Sequence, residues 1–233
     1  MEAGSVNKGM AVRQWVTAAL LALVGGGMSA YASGTNWEEE VRLHDGGRIV
    51  VERSVARKGR HEPLQRPSIG EQSLSFVLPA TRQRVRWEDD YSEDIGSANF
   101  LLMMLEIDEK GMAYLVASPM GCLSYNKWGR PNPPYVVFKY QDGCWRRIVL
   151  QELPARFKTP NLIISSPDDA VRKAGLSLVP AERVQEFNAG FKQPEYRTIL
   201  REPLSAAQLC PPELTGFKAP FPVAPKAGAE NKN

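Results

Sequence analysis

The sequence is poor in the residue types and motifs that most enzymes use for catalysis. Its 233 residues include only two histidines, His44 and His61, and three cysteines. It contains no G-x-S-x-G nucleophile elbow, no C-x-x-C pair, no P-loop and, outside the leader glycines, no dinucleotide fingerprint. His61-Glu62 begins like a zinc-protease motif, but Pro63 would break the helix that this motif requires and no second histidine follows. The sequence therefore predicts neither a metal site nor a cofactor.

A strong excess of one charge is also missing. The 29 basic and 26 acidic side chains give a formal net charge of +3, which does not predict nucleic-acid binding. The acidic stretch 88–97 places Asp90, Ser92 and Asp94 at alternate positions, but Ile95 stands where an EF-hand calcium loop needs glycine. We interpret this stretch as a solvated acidic connection.

The first 32 residues have the pattern of a cleaved export signal. Lys8 and Arg13 supply a basic start, residues 15–24 are apolar, and Ala30 and Ala32 are the small residues that a signal peptidase reads. The alternative is an uncleaved anchor, but the apolar stretch is shorter than the about 20 residues of a membrane span. We predict a signal peptide over residues 1–32, a periplasmic or secreted protein, and no stable membrane span after cleavage.

Much of the rest of the chain alternates between apolar and polar residues in the way that is typical of β-hairpins, and residues 100–107 form a nearly continuous apolar run that is typical of a strand buried on both faces. Four hairpins are predicted in succession, with turns at residues 45–47, 79–81, 108–111 and 142–143. Such short turns favour antiparallel pairing, because parallel strands need long crossovers. The predicted fold class is mostly β: an antiparallel hairpin meander that forms a barrel, a sandwich or a propeller-like array.

Helices are predicted only after the strands. Ser166-Pro167 is typical of a helix start and Gly175 of its end, and a second short helix is predicted from Pro180 or Ala181 to Asn188. Residues 196–200 are interpreted as a last strand. The predicted organisation is a single β-rich domain over residues 33–201, followed by a Pro-rich, largely disordered tail over residues 202–233.

The three cysteines, Cys122, Cys144 and Cys210, all follow the leader. An oxidising compartment favours their pairing. Cys122 comes just after one apolar strand and Cys144 opens another, whereas Cys210 lies beside two prolines in the predicted tail. We predict a disulfide between Cys122 and Cys144. The alternative is a set of buried thiols that never meet, because connectivity cannot be read from sequence.

A basic loop, residues 53–66, is a candidate anion site. Arg57, Lys58 and Arg60 lie at its centre, and Glu62 is its one acidic residue. Arginine and lysine hold phosphates and acidic polymers through charge-assisted hydrogen bonds. The alternative is a solvated charged face, since the sequence does not show that these side chains converge.

The strongest candidate for partner binding is the stretch of residues 122–135, here called the Trp128 segment. Its candidate residues are Tyr125, Asn126, Lys127, Trp128 and Arg130. Aromatic faces beside amides and cations suit a sugar ring, a peptide or a polyproline helix. The alternative is a scaffold role, because long loops use aromatic residues and prolines for their own packing.

The sequence resembles an uncharacterised group of exported bacterial proteins. The resemblance is clearest in residues 124–134, the aromatic strand 135–140 and Asp142-Gly143. The resemblance covers most of Trp37 to Ile163. It implies a bacterial periplasmic setting, and no activity or functional residue comes with it.

These observations lead to a hypothesis of function. We interpret the protein as an exported periplasmic β-domain that binds an unknown envelope protein or polymer and is not an enzyme. The alternatives are an envelope hydrolase whose catalytic carboxylates cannot be named from the sequence, and an immunity or inhibitor protein that acts in the periplasm.

Overall fold

The structure, a computed structural model, describes Met1, residues 34–59 and residues 61–211. The predicted signal peptide apart from Met1, Arg60 of the basic loop, and residues 212–233 of the predicted tail lie outside the described residues. Export and cleavage after Ala32 therefore stay predictions.

A five-stranded sheet is built from the first two predicted hairpins and one later strand. Its strands are β1 (Thr35–Arg42), β2 (Arg48–Arg57), β3 (Ile69–Val77), β4 (Arg84–Asp89) and β9 (Leu178–Val179), in the order β4-β3-β2-β1-β9. Strands β1 to β4 pair in antiparallel fashion. The short β9, which the sequence did not predict, pairs with β1 in parallel through Glu38 and Glu39, so the sheet is mixed.

The other two predicted hairpins form a four-stranded antiparallel sheet. Its strands are β5 (Phe100–Ile107), β6 (Ala113–Pro119), β7 (Val136–Gln141) and β8 (Cys144–Ile148), in the order β5-β6-β7-β8. The prediction of a mostly β protein with four successive hairpins is confirmed.

One apolar core joins the two sheets. Val51 and Leu74 of the first sheet and Leu105, Leu115 and Phe138 of the second are buried in the same cluster. Alternate residues of a strand point to opposite faces, so each strand contributes every second side chain to this core. The second sheet is covered on its other face by Leu153, Phe157, Ile164 and Ile199. Of the predicted alternatives, the two-layer, sandwich-like arrangement is the one found.

Short helices connect or follow the strands. They are α1 (Gly121–Lys127), α2 (Pro167–Ala174), α3 (Ala181–Asn188) and α4 (Pro194–Arg197), with single 3-10 turns at Leu150–Glu152 and Ala206–Gln208.

The two predicted C-terminal helices are confirmed as α2 and α3. Gly175 ends α2 with a left-handed backbone of φ 66°, a conformation that glycine adopts without steric cost. Ser166 also has a left-handed backbone and does not cap α2 with its side chain. The last strand predicted over residues 196–200 is wrong, because Pro194 opens a helical turn there.

The disulfide joins Cys122 to Cys210, and Cys144 is free. The predicted Cys122–Cys144 pairing is wrong, because the strand order places these two cysteines at opposite ends of the sheet. Strand β6 runs antiparallel to β7, so Cys122, just beyond β6, lies at the opposite end of the sheet from the β7–β8 turn that holds Cys144. The Cα atoms of Cys122 and Cys210 are 5.5 Å apart, within the normal range for a disulfide.

The disulfide fastens the C-terminal stretch 202–211 to the Trp128 segment. Asn132 donates a hydrogen bond to the Leu204 carbonyl oxygen (2.9 Å) and accepts one from the Leu204 amide (2.8 Å). Arg130 donates to the Cys210 carbonyl oxygen. The predicted start of a disordered tail at residue 202 is therefore too early.

No helix within the described ranges is long and apolar enough to cross a membrane.

Candidate functional site: a cleft beside His44

A cleft of about 600 Å³ opens at the end of β1, between the loop that follows β8 and helix α3. We call it the His44 cleft. The lining residues that matter for its chemistry are Arg42, His44, Glu106, Arg156, Lys158 and Gln185. The cleft brings together side chains from β1, β5, α3 and the loop 150–164.

Asn161 fixes the floor of the cleft. Its side chain accepts a hydrogen bond from the Leu105 amide (2.9 Å) and donates to the carbonyl oxygens of Leu105 (2.9 Å) and Arg42 (3.1 Å). Because Arg42 ends β1 and Leu105 lies in β5, one buried amide ties the two sheets together here. The side chains of Arg42, His44 and Glu106 are thereby held at one place.

His44 and Glu106 form a nearly buried pair beneath the cleft. Glu106 Oε2 accepts hydrogen bonds from the His44 backbone amide (3.1 Å) and from His44 Nδ1 (2.9 Å). On the other side of the ring, Arg156 Nε donates to His44 Nε2 (3.1 Å). An acceptor nitrogen carries no hydrogen, so this network assigns the hydrogen of the neutral imidazole to Nδ1.

This pair resembles the histidine–carboxylate unit of many hydrolases, but its arrangement differs in one respect. A general base needs a free nitrogen lone pair that reaches the substrate, and here Arg156 occupies the lone pair of Nε2. Burial raises the pKa of the Glu106 carboxyl, while its hydrogen bonds from His44 oppose that change. In this arrangement the lone pair of His44 Nε2 accepts the hydrogen bond from Arg156.

The cations of the cleft differ in how firmly they are held. Lys158 is exposed and forms no ion pair within the described part of the chain. Arg42 pairs with Glu182 and Arg156 pairs with Glu109, and both carboxylates are more than half exposed, at 56% and 71%. Ion pairs that are this exposed contribute little to stability. All three cations can therefore be recruited by an incoming anion at little cost.

The Trp128 segment does not present the exposed aromatic surface that we expected. Tyr125 is only 4% exposed and Asn126 only 7%. The Trp128 ring packs on Phe100, with ring centroids 4.6 Å apart, and its Nε1 donates to the Asn99 side chain (3.1 Å). The segment folds back onto the core because α1, which the sequence did not predict, turns its residues inward.

The cations of the Trp128 segment are also engaged by the protein itself. Lys127 Nζ pairs with Asp94 at 2.9 Å. The Arg130 guanidinium donates to Asn126 Oδ1 (2.6 Å) and lies 4.9 Å from the centre of the Tyr125 ring. These contacts are the ones that the scaffold alternative expects, and a recognition role for Tyr125, Trp128 and Arg130 stays a prediction.

The basic loop is neutralised in the same manner. Arg57 donates two hydrogen bonds of 2.7 Å to the Asp168 carboxylate at the start of α2, and Lys58 lies 3.4 Å from Glu71. Arg60 lies outside the described residues. The guanidinium of Arg57 is thus occupied by a carboxylate of the protein's own chain 111 residues later, and anion binding by the basic loop stays a prediction.

The acidic connection between β4 and β5 is structural. Asp89 is 4% exposed and accepts hydrogen bonds from the amides of Asn99 and Phe100 and from the side chains of Asn99 and Gln72. No cluster of three or more His, Cys, Asp or Glu side chains suited to a metal occurs in the described ranges.

Comparison of the chain with protein-family models, with curated proteins and with solved structures finds no match. The assignment of the site therefore depends on its geometry alone. Sequence reasoning missed the cleft because His44 and Glu106 are 62 residues apart and belong to no motif. Isolated cations in loops, such as Arg156 and Lys158, carry no distinguishing signal.

Proposed function

We propose that the protein is an exported, non-enzymatic β-domain that binds an envelope protein or polymer, and that the His44 cleft is its binding surface. The observation that carries this proposal is the contrast in charge use: the cations of the Trp128 segment and Arg57 are held by internal partners, whereas Lys158 is free of ion pairs among the described residues. A rigid cleft with available cations is the normal form of a binding site.

The binding hypothesis is favoured over a hydrolase by the state of His44. Its Nε2 accepts a hydrogen bond from Arg156, and its Nδ1 is engaged by Glu106. The hydroxyl among the lining residues is that of Thr159, which makes no hydrogen bond to His44. A histidine engaged on both sides and not linked to a nucleophile suits a structural role better than acid–base catalysis.

The export signal and the resemblance to exported bacterial proteins support a partner in the cell envelope. An immunity or inhibitor protein would be one form of such a binder, with an enzyme or toxin as its partner. The distinction lies in the identity of the partner and does not alter the surface that we propose.

The test fills the cleft without changing its cations. Gln185→Trp places a large side chain in the cleft from α3, whereas Glu186→Trp, on the same helix but outside the lining, is the matched control. Both variants and the wild type are used to capture partners from an envelope extract, and their melting temperatures are compared. We expect Gln185→Trp alone to lose the captured species at an unchanged melting temperature. Equal capture by all three proteins would disprove the cleft as the binding surface.

A further inference from the structure

We propose that the group bound in the His44 cleft is a phosphate, either free or part of an envelope polymer. This inference depends on the proposed function and deepens it by naming the chemistry of the ligand. It follows from three features of the cleft: its cations outnumber its carboxylates, the cations are weakly held, and each carboxylate already accepts hydrogen bonds from the protein.

The cations of the cleft outnumber its carboxylates. Arg42, Arg156 and Lys158 line it together with Glu106 and Glu182, which leaves a formal excess of one positive charge in the lining. A carboxylate carries one negative charge, whereas a phosphate monoester carries about −1.5 to −2 at pH 7 and offers three acceptor oxygens. Guanidinium groups bind two phosphate oxygens at once, and lysine supplies a point charge. The combination of two arginines and a lysine therefore suits phosphate.

Several donors of these cations are uncommitted. Arg42 contacts Glu182 through Nη2, and Arg156 uses Nε for His44 and Nη2 for Glu109. The Nη1 groups of both arginines and the Lys158 ammonium have no protein acceptor within the described residues. A phosphate can accept these hydrogen bonds without displacing a buried partner.

The acidic residues of the lining do not oppose an anion strongly. The Glu106 side chain is only 4% exposed and directs its Oε2 to His44. Glu182 accepts hydrogen bonds from both Arg42 (2.5 Å) and Arg48 (2.7 Å), which brings a further cation to the rim. Each lining carboxylate thus already accepts hydrogen bonds from the protein, and with Arg48 at the rim the cations around the cleft still outnumber the carboxylates of its lining.

The experiment titrates the purified protein with inorganic phosphate at constant ionic strength, with acetate as the monoanionic comparison. A ligand that binds only the native state raises the melting temperature, and calorimetry gives the dissociation constant. We expect phosphate to bind at least about tenfold more tightly than acetate. Lys158→Gln should weaken phosphate binding about tenfold, because a hydrogen bond to a charged group contributes about 1.5 kcal/mol.

Lys173→Gln is the matched control. Lys173 is an exposed lysine on α2 that does not line the cleft. Equal effects of the two substitutions, or no preference of the wild type for phosphate over acetate, would overturn the inference. A long-chain polyphosphate tested in parallel separates the two sources: tighter binding of the chain than of free phosphate, per phosphate group, indicates a polymer ligand.

Failure of this inference and failure of the proposed function give different results. If Gln185→Trp abolishes partner capture while phosphate neither binds nor competes, the cleft is the binding surface but its ligand is not a phosphate. In the opposite case, phosphate binds and Lys158→Gln weakens phosphate binding, but neither Gln185→Trp nor added phosphate changes partner capture. The anion site then exists, and the partner binds elsewhere.

Discussion

The Trp128 segment and the His44 cleft have similar ingredients, aromatic or imidazole rings beside cations, but use them in opposite ways. In the Trp128 segment each cation and ring is matched by a neighbour in the fold: Lys127 by Asp94, Arg130 by Asn126 and Trp128 by Asn99. In the cleft, Arg156 is partly engaged and Lys158 has no ion-pair partner in the described ranges. The rings and cations of the Trp128 segment contact other parts of the fold, whereas those of the cleft are only partly engaged.

The comparison shows why a conspicuous sequence is a poor guide to a binding surface. Aromatic residues in a polar loop can bury their faces by folding back, and a fold gains stability when they do so. Binding surfaces are better recognised by groups that the fold leaves available. The predictions below test both sides of this contrast, beginning with the largest expected effect.

Trp128→Ala should destabilise the protein by about 3 kcal/mol, the lower end of the range for truncation of a buried aromatic side chain. The substitution removes the contacts of the ring with Phe100 and Phe138 and the hydrogen bond to Asn99. Chemical denaturation measures the loss. Leu123→Ala, at a 39% exposed position of the same helix, is the control and should change stability little. If Trp128→Ala instead lost partner capture with almost no change in melting temperature, Trp128 would be a recognition residue.

Much of the fold was predictable because its determinants are local. Alternation along β1 to β4, the apolar run of β5 and the short turns define the hairpins, and Gly175 marks the end of α2. The remaining features depend on residues that are far apart in the chain. Three contacts each join residues more than 80 positions apart: the β1–β9 pair, the Arg57–Asp168 ion pair and the Cys122–Cys210 disulfide. No local sequence pattern predicts them.

The cleft was unpredictable for the same reason. His44 follows β1, Glu106 lies near the end of β5 and Arg156 lies in a loop after β8. Only the packing of the two sheets, fastened by Asn161, brings them together. The residues proposed for binding could therefore be identified only from the structure.

Cys210→Ser should destabilise the protein by about 2–3 kcal/mol, because the disulfide closes a loop with a sequence separation of 88 residues and restricts the unfolded chain. It also releases the stretch that Asn132 and Arg130 hold against the Trp128 segment. Denaturation under non-reducing conditions measures the difference. Cys144→Ser is the control and should leave stability nearly unchanged, since Cys144 is free. Labelling of unfolded wild-type protein should find one reactive thiol, and it should be Cys144.

The smallest expected effect concerns Asp89, which supports the Trp128 segment indirectly. Its carboxylate accepts hydrogen bonds from Asn99, whose side chain in turn accepts from Trp128 Nε1. Burial raises the pKa of Asp89 above its ordinary value, against the opposing effect of the hydrogen bonds that it accepts. The group therefore contributes to stability fully below the ordinary carboxyl pKa of about 3.9, and this contribution is lost as the pH rises through the raised pKa of the folded state.

Asp89→Asn tests that direction, because an asparagine has nearly the same shape and does not titrate. The free energy of unfolding is measured for both proteins between about pH 3.5 and pH 7, with Glu88→Gln, an exposed neighbour on β4, as the control. We expect the advantage of the wild type over Asp89→Asn to shrink as the pH rises, while the control difference stays flat. An advantage that grows with pH would mean that the hydrogen bonds from Asn99 and Phe100 outweigh burial and lower the pKa of Asp89. In that case the ionised carboxylate, and not its protonated form, is what holds Asn99 in place under Trp128.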